Sequence, residues 1–211
     1  MGTSVVTETF GYDGGRQVTA FLPAADAGAL VFAADGGWHA ERLAAAVDRS
    51  TAVIGVHGLA DDEARIKEYS PAFDPARFAA HERFFVGEVG QWVRSTLGIA
   101  LPAARTAVWG ASAGGELALA MGLRHPDVFG IVLCASPGGG FQPTAPLPTV
   151  LPRTYLVGGT EEPFFLANAR RWAEALQAVG GDVVMAERAG GHGDAFWYDE
   201  LELMLPWAFS A

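Results

Sequence analysis

Only one cysteine, Cys134, stands in the 211 residues, so no disulfide can form within the chain and no thiolate cluster can hold zinc. It lies in the apolar run IVLCA and reads as a small buried hydrophobe. Lysine is nearly absent too: Lys67 is the only one, and the other basic residues are arginines. Charged residues make up just 18% of the chain, and 24 acids against 14 bases leave a net charge of −10. Such a surface repels phosphate backbones and anionic lipid, so neither nucleic acid nor a membrane is an expected partner. No apolar run approaches the roughly 20 residues of a membrane span. The start, MGTSVVTETF, has no basic segment followed by an apolar stretch, so no secretory signal is expected. The chain reads as a soluble, cytoplasmic protein. Neither H-E-x-x-H nor a G-x-G-x-x-G after the first strand occurs, so no metal and no dinucleotide cofactor is expected.

What is present is a globular composition, half of it apolar. That suffices for one sizeable core, and residues 1–211 are expected to form a single domain. TSVVTETF and RQVTAFL flank the glycines of YDGG and read as an opening hairpin. Six further β-rich runs follow: ALVFAAD, TAVIGV, TAVW, GIVLCA, RTYLVG and DVVMAE. Helical stretches are expected at 39–48, over 76–97, after residue 113, from Pro163 to Gly180 and from about Asp194 to Phe209. Residues 57–75 read as a polar loop and 136–152, rich in Pro and Gly, as an irregular excursion. Such alternation predicts a mostly parallel eight-stranded sheet with helices on both faces, and a chain of this length is expected to have no separate lid domain. Ligand sites in such sheets lie beyond the carboxyl ends of the strands. The loops that follow strands therefore carry the argument.

The first is Gly110-Ala111-Ser112-Ala113-Gly114, a G-x-S-x-G elbow between a strand and a helix. Glycines two residues either side of the serine let strand and helix pass closely. A chain with 27 glycines can carry the pattern by accident, so the other loops have to support it. A serine needs a base, and the base an orienting group. Of the histidines, His39 begins a helix, His57 ends a strand, His81 lies in a helix, and His125 sits at a helix C-terminus. His192, in GGHGD after the last strand, has the required chain order and glycines that let its loop bend back. Between serine and histidine, after RTYLVG, stand the adjacent acids Glu161 and Glu162; residue type alone leaves the choice between them open. Asp182 starts a strand at the wrong end of the sheet, and Asp194 reads as a cap of the last helix. An oxyanion would take the N–H after the serine, that of Ala113, and a second from the loop Asp35-Gly36-Gly37-Trp38.

With these residues in place, the chain resembles an α/β-hydrolase and, more narrowly, is similar to the esterase D / enterochelin-esterase-like family. The marks are ADGGW at 34–38, IGV at 54–56, R-x-x-E-Y from Arg65 to Tyr69, GASAGG, VGGTEEPFFLANA and GGHGDAFW. The resemblance implies an acyl-enzyme hydrolase without a cofactor. It implies Ser112 as nucleophile and His192 as general base and acid. Glu162, followed by Pro163, matches the family's G-x-x-E-P acid, and Gly37 matches its second oxyanion donor. A small-molecule ester is the expected substrate and a carboxylesterase the leading reading. Acyl transfer by the same residues is a second reading. A binding protein on the same scaffold is a third, opposed by the intact Ser112 and His192. Trp38, Phe141, Phe164 and Trp197 are candidates to line an apolar pocket, with core packing as the alternative. Arg65, Lys67 and Arg77 either face an anionic substrate or form solvated surface charge.

Overall fold

ALVFA, TAVIGV, TAVWGA and IVLCA are buried at every position, because both faces of the sheet they form are covered. The computed structural model describes residues 4–144, 146–193 and 195–210. Its eight strands are β1 (Ser4–Phe10), β2 (Arg16–Leu22), β3 (Ala29–Ala33), β4 (Thr51–Val56), β5 (Thr106–Ala111), β6 (Ile131–Ala135), β7 (Arg153–Gly159) and β8 (Val183–Arg188). They form one sheet in the order β1-β2-β4-β3-β5-β6-β7-β8. β1 pairs antiparallel with β2 and β2 with β4; every other neighbouring pair is parallel. β1, at the edge, is exposed along nearly its whole length.

The period-2 alternation of the strands divides the core in two. Leu30, Phe32, Val108 and Val132 point to one face, under α3 (Pro75–Glu82), α4 (Gly90–Ser95), α5 (Ala113–Arg124) and α6 (Pro163–Ala178). Val31, Ala33, Trp109 and Leu133 point to the other, under α1 (Gly36–Ala46), α7 (Phe196–Asp199) and α8 (Leu201–Phe209). From β3 the chain moves to β4 on one side, then crosses back to β5 on the other. The crevice between the carboxyl ends of β3 and β5 is thus the switch point of the sheet.

Four expectations about helices are corrected. The polar stretch 57–75 contains a helix, α2 (Asp62–Tyr69), capped by the Asp61 carboxylate on the Ala64 N–H. Its buried residues are Arg65, Glu68 and Tyr69, so it shows no apolar stripe for periodicity to detect. The run expected at 76–97 is not one regular helix: a π-helical turn, Arg83–Val89, joins α3 to α4 and turns Phe84, Phe85 and Val89 inward. α1 starts at Gly36, three residues early, and passes so close to β4 that a Cβ at Gly36 would overlap the backbone of Gly55. The last helix is two pieces, α7 and α8, and Asp194 with its expected cap lies outside the described residues. Among the described residues no helix is long and apolar enough to cross a membrane.

Candidate active site

Ser112 follows β5 directly and precedes α5, with φ at +58 and ψ at −124. Such a backbone is costly for a residue with a Cβ and persists only where its surroundings over-determine it. Here the strand and helix on either side are locked: the Ser112 N–H donates to the Ala135 carbonyl of β6, 3.0 Å away, and the Ser112 carbonyl accepts from Gly115 at 3.0 Å. A Cβ on Gly110 would overlap the Gly114 carbonyl. Among the described residues, three of the four non-glycine residues at positive φ, Asp35, Ser112 and Ser136, stand just past the carboxyl ends of β3, β5 and β6.

The Ser112 hydroxyl lies 2.9 Å from His192 Nε2. His192 Nδ1 lies 2.7 Å from Glu162 Oε2, which assigns the proton to Nδ1 and leaves Nε2 as the acceptor for the serine. The glycine loop reaches back because Gly190 takes φ at +141 and Gly193 at +89, and because the Glu161 N–H holds the Gly190 carbonyl at 3.0 Å. Glu162 is buried at the N-terminus of α6, whereas Glu161 is exposed. The Oε1 of Glu162 accepts the Gly159 N–H at 2.7 Å and the Ser136 hydroxyl. Ser136 Oγ in turn accepts the Trp197 indole N–H at 2.7 Å. Phe165 stacks on the His192 ring, centroids 3.6 Å apart and planes 16° apart, and Trp197 meets it edge-on at 4.9 Å.

Ala113 and Gly37 stand in the first turns of α5 and α1, where backbone N–H groups have no intrahelical partner. The two turns are neighbours: a Cβ on Gly114 would lie 3.1 Å from both Ala34 Cβ and Asp35 Oδ2. Asp35 is fully buried and receives Arg65 Nε at 2.7 Å and Nη2 at 2.5 Å. Its N–H donates to the Tyr69 hydroxyl at 3.2 Å. The R-x-x-E-Y stretch thus holds the β3–α1 turn from beneath, while its Glu68 pairs with Arg16 at 2.9 Å.

A cleft of about 550 Å³ opens beside Ser112. Phe164, Phe165, Asn168 and Arg171 of α6 form one wall, Ile66 and Phe73 another, and Gly138–Gly140 its floor with Glu116. Burial pushes the Glu116 carboxyl up from the usual range, and its Oε1 accepts the Gly140 N–H at 3.1 Å. Of the four aromatic pocket candidates, Phe164 lines this cleft. Trp38 is 55% exposed outside it with Arg65 across its ring, Phe141 packs on Trp172, and Trp197 lies buried behind His192. None of the three candidate cations faces it. Arg65 is held by Asp35, Arg77 by Asp13 and Glu68, and Lys67 by Glu63, because each has an acid within reach. The cation that does line the cleft is Arg171, which the sequence argument missed, as it missed Phe165, Ser136 and Glu116. Ser136 follows a strand end, so the strand-end rule alone would have selected it.

The remaining histidines have other partners: His39 the Tyr198 hydroxyl at 2.7 Å, His57, whose ring lies beside Gly37, Thr19 at 3.0 Å, and His125 Glu82 at 2.9 Å, while His81 is fully buried. Asp182 pairs with Arg153 at the amino end of β8. Among the described residues no group of three His, Cys, Asp or Glu side chains is placed to hold a metal ion.

No curated protein matches the sequence. Among solved structures, the enterochelin esterase of Shigella flexneri matches with a TM-score of 0.78 at 18% identity, over 100% of this chain and 59% of its own. The chain thus spans about three fifths of that protein. The fluorophosphonate-binding serine hydrolase F of Staphylococcus aureus matches with a TM-score of 0.78 at 12% identity, over 100% of both chains. A ferulic acid esterase matches with a TM-score of 0.67 at 19% identity, over 98% of this chain and 97% of its own. These likenesses show the α/β-hydrolase fold. A family model described as "Putative esterase" matches residues 38–146, just over half of the sequence, and the chain belongs to that esterase family.

Proposed function

We propose that this protein is a serine carboxylesterase, acting on a small-molecule ester through an acyl-enzyme on Ser112. The observation that carries the reading is the unbroken hydrogen-bonded chain from Ser112 through His192 to the buried Glu162, at 2.9 and 2.7 Å. His192 Nε2 takes the hydroxyl proton as Oγ attacks the ester carbonyl. The negative charge that develops on the carbonyl oxygen falls beside the two helix N-termini, where the N–H groups of Ala113 and Gly37 are the donors. Imidazolium then passes its proton to the departing alkoxide, leaving acyl-serine and free alcohol. Water repeats the sequence: His192 takes its proton, hydroxide adds to the acyl carbon, and the carboxylic acid leaves as Ser112 Oγ recovers the proton. Glu162 holds Nδ1–H throughout and offsets the imidazolium charge. The cleft along α6 supports an acyl or alcohol group with apolar bulk near the ester. Aryl esters of increasing acyl length, with feruloyl and siderophore-type esters beside them, define that group.

The test is covalent. A fluorophosphonate should label the folded protein at Ser112, and Ser112→Ala should abolish both the label and aryl-ester hydrolysis. Folded wild-type protein that takes no label sinks the reading.

A further inference from the structure

Ser136 stands one residue past β6 with φ at +47, where glycine would be the relaxed choice. Its side chain is completely buried, and both its hydrogen-bonding directions are used. An indole N–H can only donate, so the bond from Trp197 Nε1, 2.7 Å long, occupies a lone pair of Ser136 Oγ. The hydroxyl proton is thereby directed to Glu162 Oε1, which also takes the Gly159 N–H at 2.7 Å. With Oε1 held by two donors, the carboxylate cannot rotate, and Oε2 is left facing His192 Nδ1 at 2.7 Å. Trp197 serves the same geometry twice, since its ring edge also packs on the imidazole with planes 88° apart.

We infer that Ser136 and Trp197 are positioning residues that act through Glu162: the indole sets the direction of the Ser136 hydroxyl, and that hydroxyl fixes the carboxylate that orients His192. Ser136 reaches His192 only through Glu162, whereas Trp197 also packs its ring edge on the imidazole, a contact that an aromatic replacement keeps, so the hydrogen-bonded route is the one tested. A packing role alone would not favour a serine here, because the position is backbone-strained and the hydroxyl could be omitted by a glycine. The inference rests on the esterase reading above, and the experiment separates the two.

Ser136→Gly removes the hydroxyl while relaxing the backbone; Trp197→Phe removes the N–H while keeping an aromatic ring. Each is compared with wild type, with Glu162→Ala, and with the corresponding double variant, by aryl-ester kinetics and by the rate of fluorophosphonate labelling. Each single change should lower kcat and the labelling rate about tenfold with KM within about twofold, as expected for a lost hydrogen bond to a charged group. In the Glu162→Ala background each should cost less than about twofold, because the group through which it acts is gone. Wild-type kcat in both single variants, or a tenfold cost that persists without Glu162, overturns the inference and leaves the esterase reading standing. If Ser136→Gly does not fold, Trp197→Phe and its double variant decide the matter by the same criteria. A wild-type protein that is neither labelled nor active removes the esterase reading itself, and this inference with it.

Discussion

Glu162 Oε2 lies 2.7 Å from His192 Nδ1, while Glu161, its neighbour in the chain, is exposed and gives its backbone N–H to the Gly190 carbonyl of the histidine loop. The helix that begins at Pro163 sets this difference, since Glu162 is its N-cap and turns into the protein. Glu162→Gln should therefore lower kcat for an aryl ester by a factor on the order of 10²–10⁴, because an amide cannot hold the Nδ1–H tautomer or offset the imidazolium. Glu161→Gln should change it less than about twofold. Steady-state kinetics of the two variants, side by side, checks the assignment; the reverse ranking would transfer the role to Glu161.

The elbow glycines are not equivalent. A side chain at Gly110 would overlap the Gly114 carbonyl, and backbone of a strand packed on a helix cannot yield. A side chain at Gly114 would meet Ala34 Cβ and Asp35 Oδ2 at 3.1 Å, a crowding of a few tenths of an ångström. Gly110→Ala should destabilise the protein by roughly 3 kcal/mol or more, and Gly114→Ala by about 1 kcal/mol. Urea unfolding of the two variants would show it, and equal midpoints would contradict the packing argument.

His81 is fully buried and neither ring nitrogen has a hydrogen-bond partner among the described residues. Burial pushes its pKa down to about 4, outweighing the attraction of Glu68, 3.7 Å away. An unfolded histidine titrates near 6.5, so between about pH 6.5 and 4 the unfolded chain binds a proton that the folded one refuses. The contribution is fully present above pH 6.5 and is lost as pH falls, at about 1.4 kcal/mol per pH unit. His81→Phe, placed among Tyr12, Phe84 and Phe85, should flatten this slope. Denaturation midpoints at pH 7.5 and 5 check it: the variant should gain on wild type at pH 5, and an unchanged difference between the two pH values would contradict the sign.

Much of the fold was legible because burial on both sheet faces leaves short, nearly continuous apolar runs, and these strands appear within a residue or two of the expected places. The polar helix α2 was not legible, since its inward residues are charged and their burial depends on partners remote in sequence. Arg65 shows why: its acid, Asp35, stands 30 residues away, so exposed and buried readings of the arginine look alike until the chain folds.

The sequence by itself determined the order of serine, acid and histidine, each in a loop after a β-run, because chain order and strand-end position are local properties. Tertiary structure decided the rest. It brought Glu162 rather than Glu161 to His192 through the phase of one helix, and it placed Phe165 and Trp197 around the imidazole. It also linked Ser136 to Glu162 across 26 residues. Those are contacts between elements, and their distances are set by how strands and helices pack, which no pattern along the chain encodes.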